Sequence, residues 1–427
     1  FYTVNYDFEK PYNVYGGLQD NGSLTGSSNS VPNRTPHWER LFGGDGMFVS
    51  PDPRDSKTVY VGYQFGNYFR LNRNTGKRTR LQPRHDIGED VPRFNWRTPL
   101  ELSGHNPDIV YMASQRVYRS MNKGEDWVPI SPDLTTNRKQ GNVPFSTITS
   151  LSESPVVFGH IMVGTDDGNV QLTTSSGGSW ELVSKSLPAG KWVSQVFASP
   201  HDQETWFVAL NGYREDDFST YIYRSADNGK TWSSIRGNLP DVVVNSVIQD
   251  PVVADLIYVG TDHGLYISSD NGSTYLLVNQ VPNVAVYDLK VHPEAHDLII
   301  ATHGRSIYVM DVDPIQQTTL HPDQLYLSGT SSITHSDSWG EKQYPYVEAS
   351  EPDLVYTYYV PTDARLTLRV IGEDNAIIYE EIRESSAGFG IWKWNGITND
   401  GYIEKGTYHL ELIEGEINKK NPSGDRK

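Results

Sequence analysis

The chain has 427 residues, 53 acidic against 36 basic side chains, a formal charge of −17 and an isoelectric point near 5.1, which argues against a nucleic-acid or anionic-membrane partner. It contains no cysteine, so disulfide and thiolate chemistry are excluded, and no apolar run approaches the roughly eighteen residues that span a bilayer. With 26 Tyr, 10 Trp, 37 Gly and 25 Pro, the composition is that of an all-β chain punctuated by turns and long enough for two domains.

In chain order, the sequence opens on a strand, Phe1 to Val4, without an initiator methionine, as a processed or trimmed piece of a longer protein would. Seven blade-like units are expected before about residue 315. The first carries the hairpin signal Asp20-Asn21-Gly22, and the second runs from Val59 to Leu81 with a turn at Asn74-Thr75-Gly76-Lys77. The third to sixth each contain a variant of one octapeptide: Ser120 to Trp127, Thr173 to Trp180, Ser225 to Trp232 and Ser268 to Tyr275. The seventh holds Leu298 to Val309 and lacks the octapeptide. Phe1 to Tyr6 is expected to pair with that seventh unit and close the ring, since a closed ring hides two sheet edges.

Within the octapeptide a hydroxyl residue is followed by an Asp, Asn or Ser that can accept backbone N–H groups two residues on. A glycine then supplies positive φ, and an aromatic ring starts the next strand. The closing rings of Trp127, Trp180, Trp232 and Tyr275 are 53, 52 and 43 positions apart, close to the about 40 to 50 residues of a four-stranded propeller blade. A second repeat has the same register: an apolar strand, a Ser/Asp/His-Pro corner and another apolar strand, at Ser50-Pro51, Ser199-Pro200, Asp250-Pro251 and His292-Pro293. Proline fits such corners because it donates nothing to a ladder.

The octapeptides resemble the Asp-box (BNR repeat) motif, carried here by Asn122, Trp127, Trp180, Asp227, Gly229, Trp232, Asp270 and Gly272. The resemblance implies a β-propeller of the kind found in sialidases, xyloglucan-degrading glycoside hydrolases and sortilin-type receptors; it marks architecture, not activity. The segments Tyr15 to Ser23, Gly43 to Gly46, Arg93 to Trp96, Ile130 to Thr136 and Thr302 to Ser306 are similar to a bacterial group of secreted proteins often labelled glycosyl hydrolase.

Past Val312 the repeat stops. A polar linker is expected over 316–350, then alternating strands at Leu354 to Val360, Arg365 to Ile371, Ile377 to Ile382 and Thr407 to Ile413, and a polar tail over 416–427. Gly390 to Gly396, Asp400-Gly401 and Gly406-Thr407-Tyr408 make the 351–415 region, or one beginning near 320, similar to the immunoglobulin-like domain of the flagellar hook-capping protein, which implies an attachment module. The expected fold is therefore all-β: a seven-bladed propeller over 1–315 followed by an Ig-like β-sandwich.

Inverting glycoside hydrolysis requires two carboxyl groups about 6.5 to 9.5 Å apart, one of them protonated. The candidates are Asp45, set between glycines, Asp166 with Asp167, Asp262, and Glu215 to Asp217, none at a spacing that fixes a pair, and Asp before Gly is ordinary turn chemistry. The arginine triad and tyrosine nucleophile of sialidases would draw on Arg93, Arg116, Arg214 and Arg305, but the entry motif of that family is missing. His292, His296 and His303 lack tight metal-ligand spacing, so no metal and no cofactor is expected. Ligand binding asks less: Trp96, Trp192, Tyr63, Phe65 and Tyr213 can stack on a pyranose or seat an apolar group, with Arg93 and Arg305 fixing polar ones. Two readings follow. One is an exported bacterial surface or secreted propeller that binds polysaccharide or protein without catalysis, with other outer-surface or secretion components as further partners. The alternative is an inverting glycoside hydrolase acting on a β-linked polysaccharide. Asn21, Asn33 and Asn271 stand in N-glycosylation sequons.

Overall fold

Strands that read as unbroken apolar runs need cover on both faces, and four such strands, Val110–Ala113, Ile161–Thr165, Trp206–Gly212 and Ile257–Thr261, are buried along their whole length. In the computed structural model of the chain, cover comes from the neighbouring sheets. The structure describes all residues except 31–37, 86, 140, 329–334, 343, 347, 350, 353, 399 and 416–427. The Asn33 sequon, part of the expected linker and the polar tail therefore lie outside the described residues. The chain divides into two units, Phe1–Asp311 and Val312–Lys427.

Among the described residues the first unit holds seven antiparallel sheets, six of four strands and a last one of three, each with its strands in chain order. The first strands of the sheets are Thr3–Tyr6, Ser50–Asp52, Leu100–Leu102, Ile148–Glu153, Trp192–Ala198, Val244–Gln249 and Val286–His292. All seven contribute to the wall of one central channel of about 460 Å³. This arrangement is a β-propeller. Between sheets the core is continuous: Ile109, Tyr111 and Ala113 of the third meet Ile148, Leu151 and Val163 of the fourth, whose Met162 and Leu172 meet Val193, Val196 and Trp206 of the fifth. The outer strands Val128–Pro129, Glu181–Leu182, Ser233–Ser234 and Leu276–Leu277 are two residues long and exposed, which leaves little edge for another chain to pair with.

The four octapeptides occupy equivalent places, each running from the last residue of a third strand to the residue before a fourth. Their bonding differs from the expected span of two residues. Ser225 Oγ accepts the N–H of Gly229 at 2.8 Å and donates to Asp227 Oδ1, while Asp227 accepts Thr231 N–H and Oγ1–H at 2.9 and 2.7 Å. The reach is four residues because two successive positive-φ residues, Asn228 and Gly229, coil the backbone back over the hydroxyl. Ser268 with Asp270, Ser120 with Asn122 and Thr173 with Ser175 repeat the pattern. The closing rings bind the preceding sheet: Trp232 Nε1–H donates to Val183 O, Trp180 Nε1–H to Ile130 O and Tyr275 O–H to Ile235 O.

At the corner between first and second strands, every sheet has a side chain that accepts backbone N–H groups two or three residues on. These are Asp7, Asp52, Ser103, Ser154, Ser199, Asp250 and His292. The equivalent of the later proline corners is thus Asp52-Pro53, not the expected Ser50-Pro51, and the constant feature is the acceptor, since Asp7 and Ser103 precede no proline.

Ring closure also differs from expectation. Thr3–Tyr6 pairs with Asn13–Leu18 in its own sheet, and the seventh sheet does not include it. Once Tyr6 to Thr3 are committed to that ladder, the joint to the last sheet forms through other groups. The Phe1 amino group donates to Thr302 O, Val4 N–H to Asp288 Oδ2 and Tyr12 O–H to Asp297 Oδ2 at 2.9, 3.0 and 2.7 Å. His292 accepts two N–H groups at Nδ1, so Nε2 carries the hydrogen and donates to Asp7 O at 3.1 Å.

In the second unit a helix, Asp313–Leu320, takes the start of the stretch expected as linker, with Pro314 in its first turn, where a missing N–H costs nothing. Two three-stranded sheets follow, Tyr326–Leu327 with Leu354–Val360 and Gly388–Trp394, and Ile377–Ser385 with Ala364–Ile371 and His409–Gly415. Alternate residues, Tyr356, Tyr358 and Val360 on one and Leu366, Leu368 and Val370 on the other, bury into one core around Trp392 and Trp394.

Candidate functional site

Antiparallel order puts the loops from second to third strand, and those from one sheet to the next, at one end of the channel; the Asp-box turns and acceptor corners lie at the other. Every residue proposed above as catalytic or ligand-binding belongs to the first end, called here the open end: Tyr63, Asp166, Tyr213, Asp262 and Arg305 on or beside second-to-third turns, Asp45, Arg93, Trp96 and Trp192 on or beside sheet-to-sheet connections.

The carboxylates there are engaged in holding loops. Asp45 Oδ1 accepts the Asp20 N–H at 2.8 Å, pinning the first-sheet turn. Its flanking glycine is required by contact, since a Cβ at Gly46 would stand 2.1 Å from the Gly22 carbonyl oxygen. Asp166 is 4% exposed and accepts Thr147 N–H and Oγ1–H at 2.8 and 2.6 Å. Burial pushes its carboxyl up to about 6 in spite of those bonds. Asp167 accepts from Thr165 and twice from Thr136. Asp262 accepts Asn245 Nδ2–H at 2.8 Å. Glu215 and Asp217 share Lys191 Nζ at 3.1 and 2.8 Å, and the lysine hydrogen bond holds Asp217 far below the usual carboxylate range. Asp166, the carboxyl with the raised pKa, is sealed from solvent.

Arg93 is likewise a clamp: it donates to Asp133, Thr135 and Ser146 O, and Gln115 holds its backbone N–H. Tyr63 packs on Phe42 and Phe69 at ring distances of 6.3 Å. The rings that remain open are Trp96, 38% exposed and edge-on to Phe65 at 5.2 Å, and Tyr213, 41% exposed. Trp192 lies beneath a guanidinium, with Arg214 Cζ 3.9 Å from its ring centroid and 4.4 Å from that of Tyr213. Arg305 is exposed. Among the described residues no group of three His, Asp or Glu side chains could hold a metal ion, and no helix is long and apolar enough to cross a membrane.

The structure adds Tyr2, Arg97, Asn245 and Tyr287 as site residues, and brings Arg214 into a binding position. In the fourth to seventh sheets the first strand bulges at one equivalent place, and the extra residues are Thr149, Ser194, Asn245 and Tyr287. Thr149 and Ser194 donate to the next sheet, at Val193 O and Val244 O. Asn245 and Tyr287 depart from this pattern, the first holding Asp262 and the second stacking at 6.4 Å with Tyr2 and edge-on at 5.5 Å with His303. Bulges re-aim side chains in this way beside binding sites. Tyr2 O–H donates to Gln19 Oε1, and Arg97 Nη1–H to Tyr2 O at 3.2 Å. The open end therefore carries a run of rings and guanidinium groups, Trp96, Tyr2, Arg97, Tyr287, Arg214 and Tyr213, across the channel mouth. Chemically it offers flat apolar surfaces for stacking and cationic groups for an oxygen-rich ligand.

A family model described as Sortilin, neurotensin receptor 3, matches residues 220–337. The chain is 29% identical to a xyloglucanase of Hypocrea jecorina over 207 residues, 45% of this chain and 22% of that enzyme. It is 22% identical to sortilin of Rattus norvegicus over 175 residues, 40% of this chain and 20% of the receptor. It thus spans about a fifth of the length of these relatives. The solved xyloglucanase of Xanthomonas campestris superposes with a TM-score of 0.54 at 14% identity, covering 91% of this chain and 58% of that one. These likenesses agree with the strand layout: the first unit is a β-propeller with Asp-box turns.

Proposed function

We propose that the protein is a non-catalytic polysaccharide-binding propeller, its seven sheets forming seven blades of one closed ring and its open end receiving the ligand. The observation that carries this reading is the division of labour at that end. The carboxylates Asp45, Asp166, Asp167 and Asp262 are acceptors in loop-holding hydrogen bonds, whereas the rings of Trp96 and Tyr213 are exposed. Stacking of a sugar on such rings needs no acid–base pair. The likeness to xyloglucanases supports a carbohydrate ligand. The hook-capping-like segments from Gly390 to Tyr408 support an Ig-like sandwich as an attachment module, and with it a bacterial outer-surface or secreted setting.

The xyloglucanase likeness also supports a second reading, glycoside hydrolysis, with the partly buried Asp45 and Asp262 as the carboxylates. A panel of β-linked polysaccharides assayed for both retention and reducing-end release separates the two. Under the binding reading the wild type and Asp45→Ala retain polymer without turnover, and Trp96→Ala weakens retention about tenfold, the scale of one lost stacking contact of about 1 to 2 kcal/mol. Turnover that disappears in Asp45→Ala establishes the hydrolase instead.

A further inference from the structure

Arg54, Arg70, Arg73 and Arg93 of the first unit each hold a carboxylate, at 2.5 to 2.8 Å. Arg214 does not. Among the described residues no hydrogen bond or ion pair engages its guanidinium, which is held by the faces of Trp192 and Tyr213 alone. Arg214 is an exposed residue, and partial desolvation of its guanidinium against those rings lowers its pKa. The acids nearest to it electrostatically are already committed, Asp166 to Thr147 and Glu215 to Lys191. Ring contacts fix the plane of the group and leave its N–H edge to serve a planar, two-oxygen acceptor, the geometry in which arginine binds carboxylates.

We propose that Arg214 is the receptor for the carboxylate of a uronic-acid branch on an otherwise neutral polysaccharide. This rests on the polysaccharide-binding reading above and specifies its ligand class. Two features of the chain select sparse charge over a polyuronate. A formal charge of −17 repels a densely anionic polymer at long range, but salt at about 0.15 M screens that field beyond about 8 Å, so one carboxylate seated on one guanidinium is tolerated. The exposed rings at the same end of the channel, Trp96 and Tyr213, suit uncharged sugar units.

The test uses the full chain, titrated at about 0.15 M salt with glucuronoxylan, with the same polymer after chemical reduction of its carboxyl groups, and with xyloglucan. The expected result is affinity for glucuronoxylan at least tenfold above that for the reduced polymer. Arg214→Gln should erase this difference while its melting temperature stays near that of the wild type. Arg214→Lys should recover part of it, because a point charge lacks the two-pronged geometry. The reduced-polymer comparison needs no variant and decides the matter even if Arg214→Gln is poorly folded. Equal affinity for native and reduced polymer, or a preference that survives Arg214→Gln, overturns the assignment. Preference for xyloglucan with loss in Trp96→Ala overturns it too but leaves polysaccharide binding standing. Retention of an acidic peptide alone, with no polymer bound, overturns both.

Discussion

The Asp-box hydroxyl makes a quantitative prediction. In Ser225→Ala the Gly229 N–H, buried and bonded to Ser225 Oγ at 2.8 Å, loses its acceptor, and Asp227 loses one of three donors. An unpaired buried donor costs about 1 to 3 kcal/mol and an exposed hydrogen bond about 0.5 kcal/mol, giving a loss of about 1.5 to 3.5 kcal/mol. The unit running from Phe1 to Asp311 should unfold with an entropy of about 0.65 kcal/mol/K, so the expected fall in its melting temperature is about 2 to 5 °C. Ser225→Thr is the internal control, because Thr173 fills the same place in the fourth sheet and accepts the Gly177 N–H at 3.0 Å. Urea and thermal unfolding followed by tryptophan fluorescence read both variants. A loss below about 0.5 kcal/mol in the alanine variant, or equal losses in both variants, refutes the four-residue bonding scheme as a source of stability.

Two further outcomes are expected. Glu101, on the channel wall, has its carboxyl pushed up to about 8 by burial, so the fold favours its protonated form; that contribution is full below the unfolded value of about 4.5 and is lost as pH rises through about 8. Glu101→Gln keeps the acceptor for the Glu153 N–H, and urea midpoints measured from pH 5 to 8 should fall in the wild type and flatten in the variant; parallel curves contradict the assignment. Tyr12→Phe removes the hydroxyl that reaches Asp297 across the ring joint, at a cost of about 0.5 to 1.5 kcal/mol. Hydrogen exchange should quicken in Thr3–Tyr6 and not in Val244–Gln249, and a uniform change would mean that the joint is not a local weak point.

What could be read from the chain beforehand was local. The octapeptides were visible because hydroxyl, Asp or Asn, glycine and ring all act within eight positions, and their four copies sit where their spacing put them. The corner repeat was visible only in part: proline drew the eye to Ser199-Pro200 and Asp250-Pro251, while Ser103 and Asp7 perform the same task without it. The open end was harder. Asp45 and Asp262, the candidate carboxylates, and Trp96 and Tyr213, the candidate stacking rings, share one end of the channel. Arg93 looked equally available, yet its partners Asp133 and Ser146 lie 40 and 53 positions away, beyond any local pattern. Tyr2 and Tyr287 meet only because the ring closes, and Tyr287 points there only because of a bulge that leaves no composition signal.

The joint between first and last sheets has a bearing on biosynthesis. Its hydrogen bonds link partners 284, 285 and 301 positions apart, so none can form until nearly the whole first unit has left the ribosome. Until then the nascent chain carries six or fewer sheets in an open row, with the apolar flank of the first, Val4 and Tyr12, waiting for Ile299 and Ala301. At about 5 to 20 residues per second that wait lasts on the order of tens of seconds. A chaperone that shields one flank would be most useful during that interval.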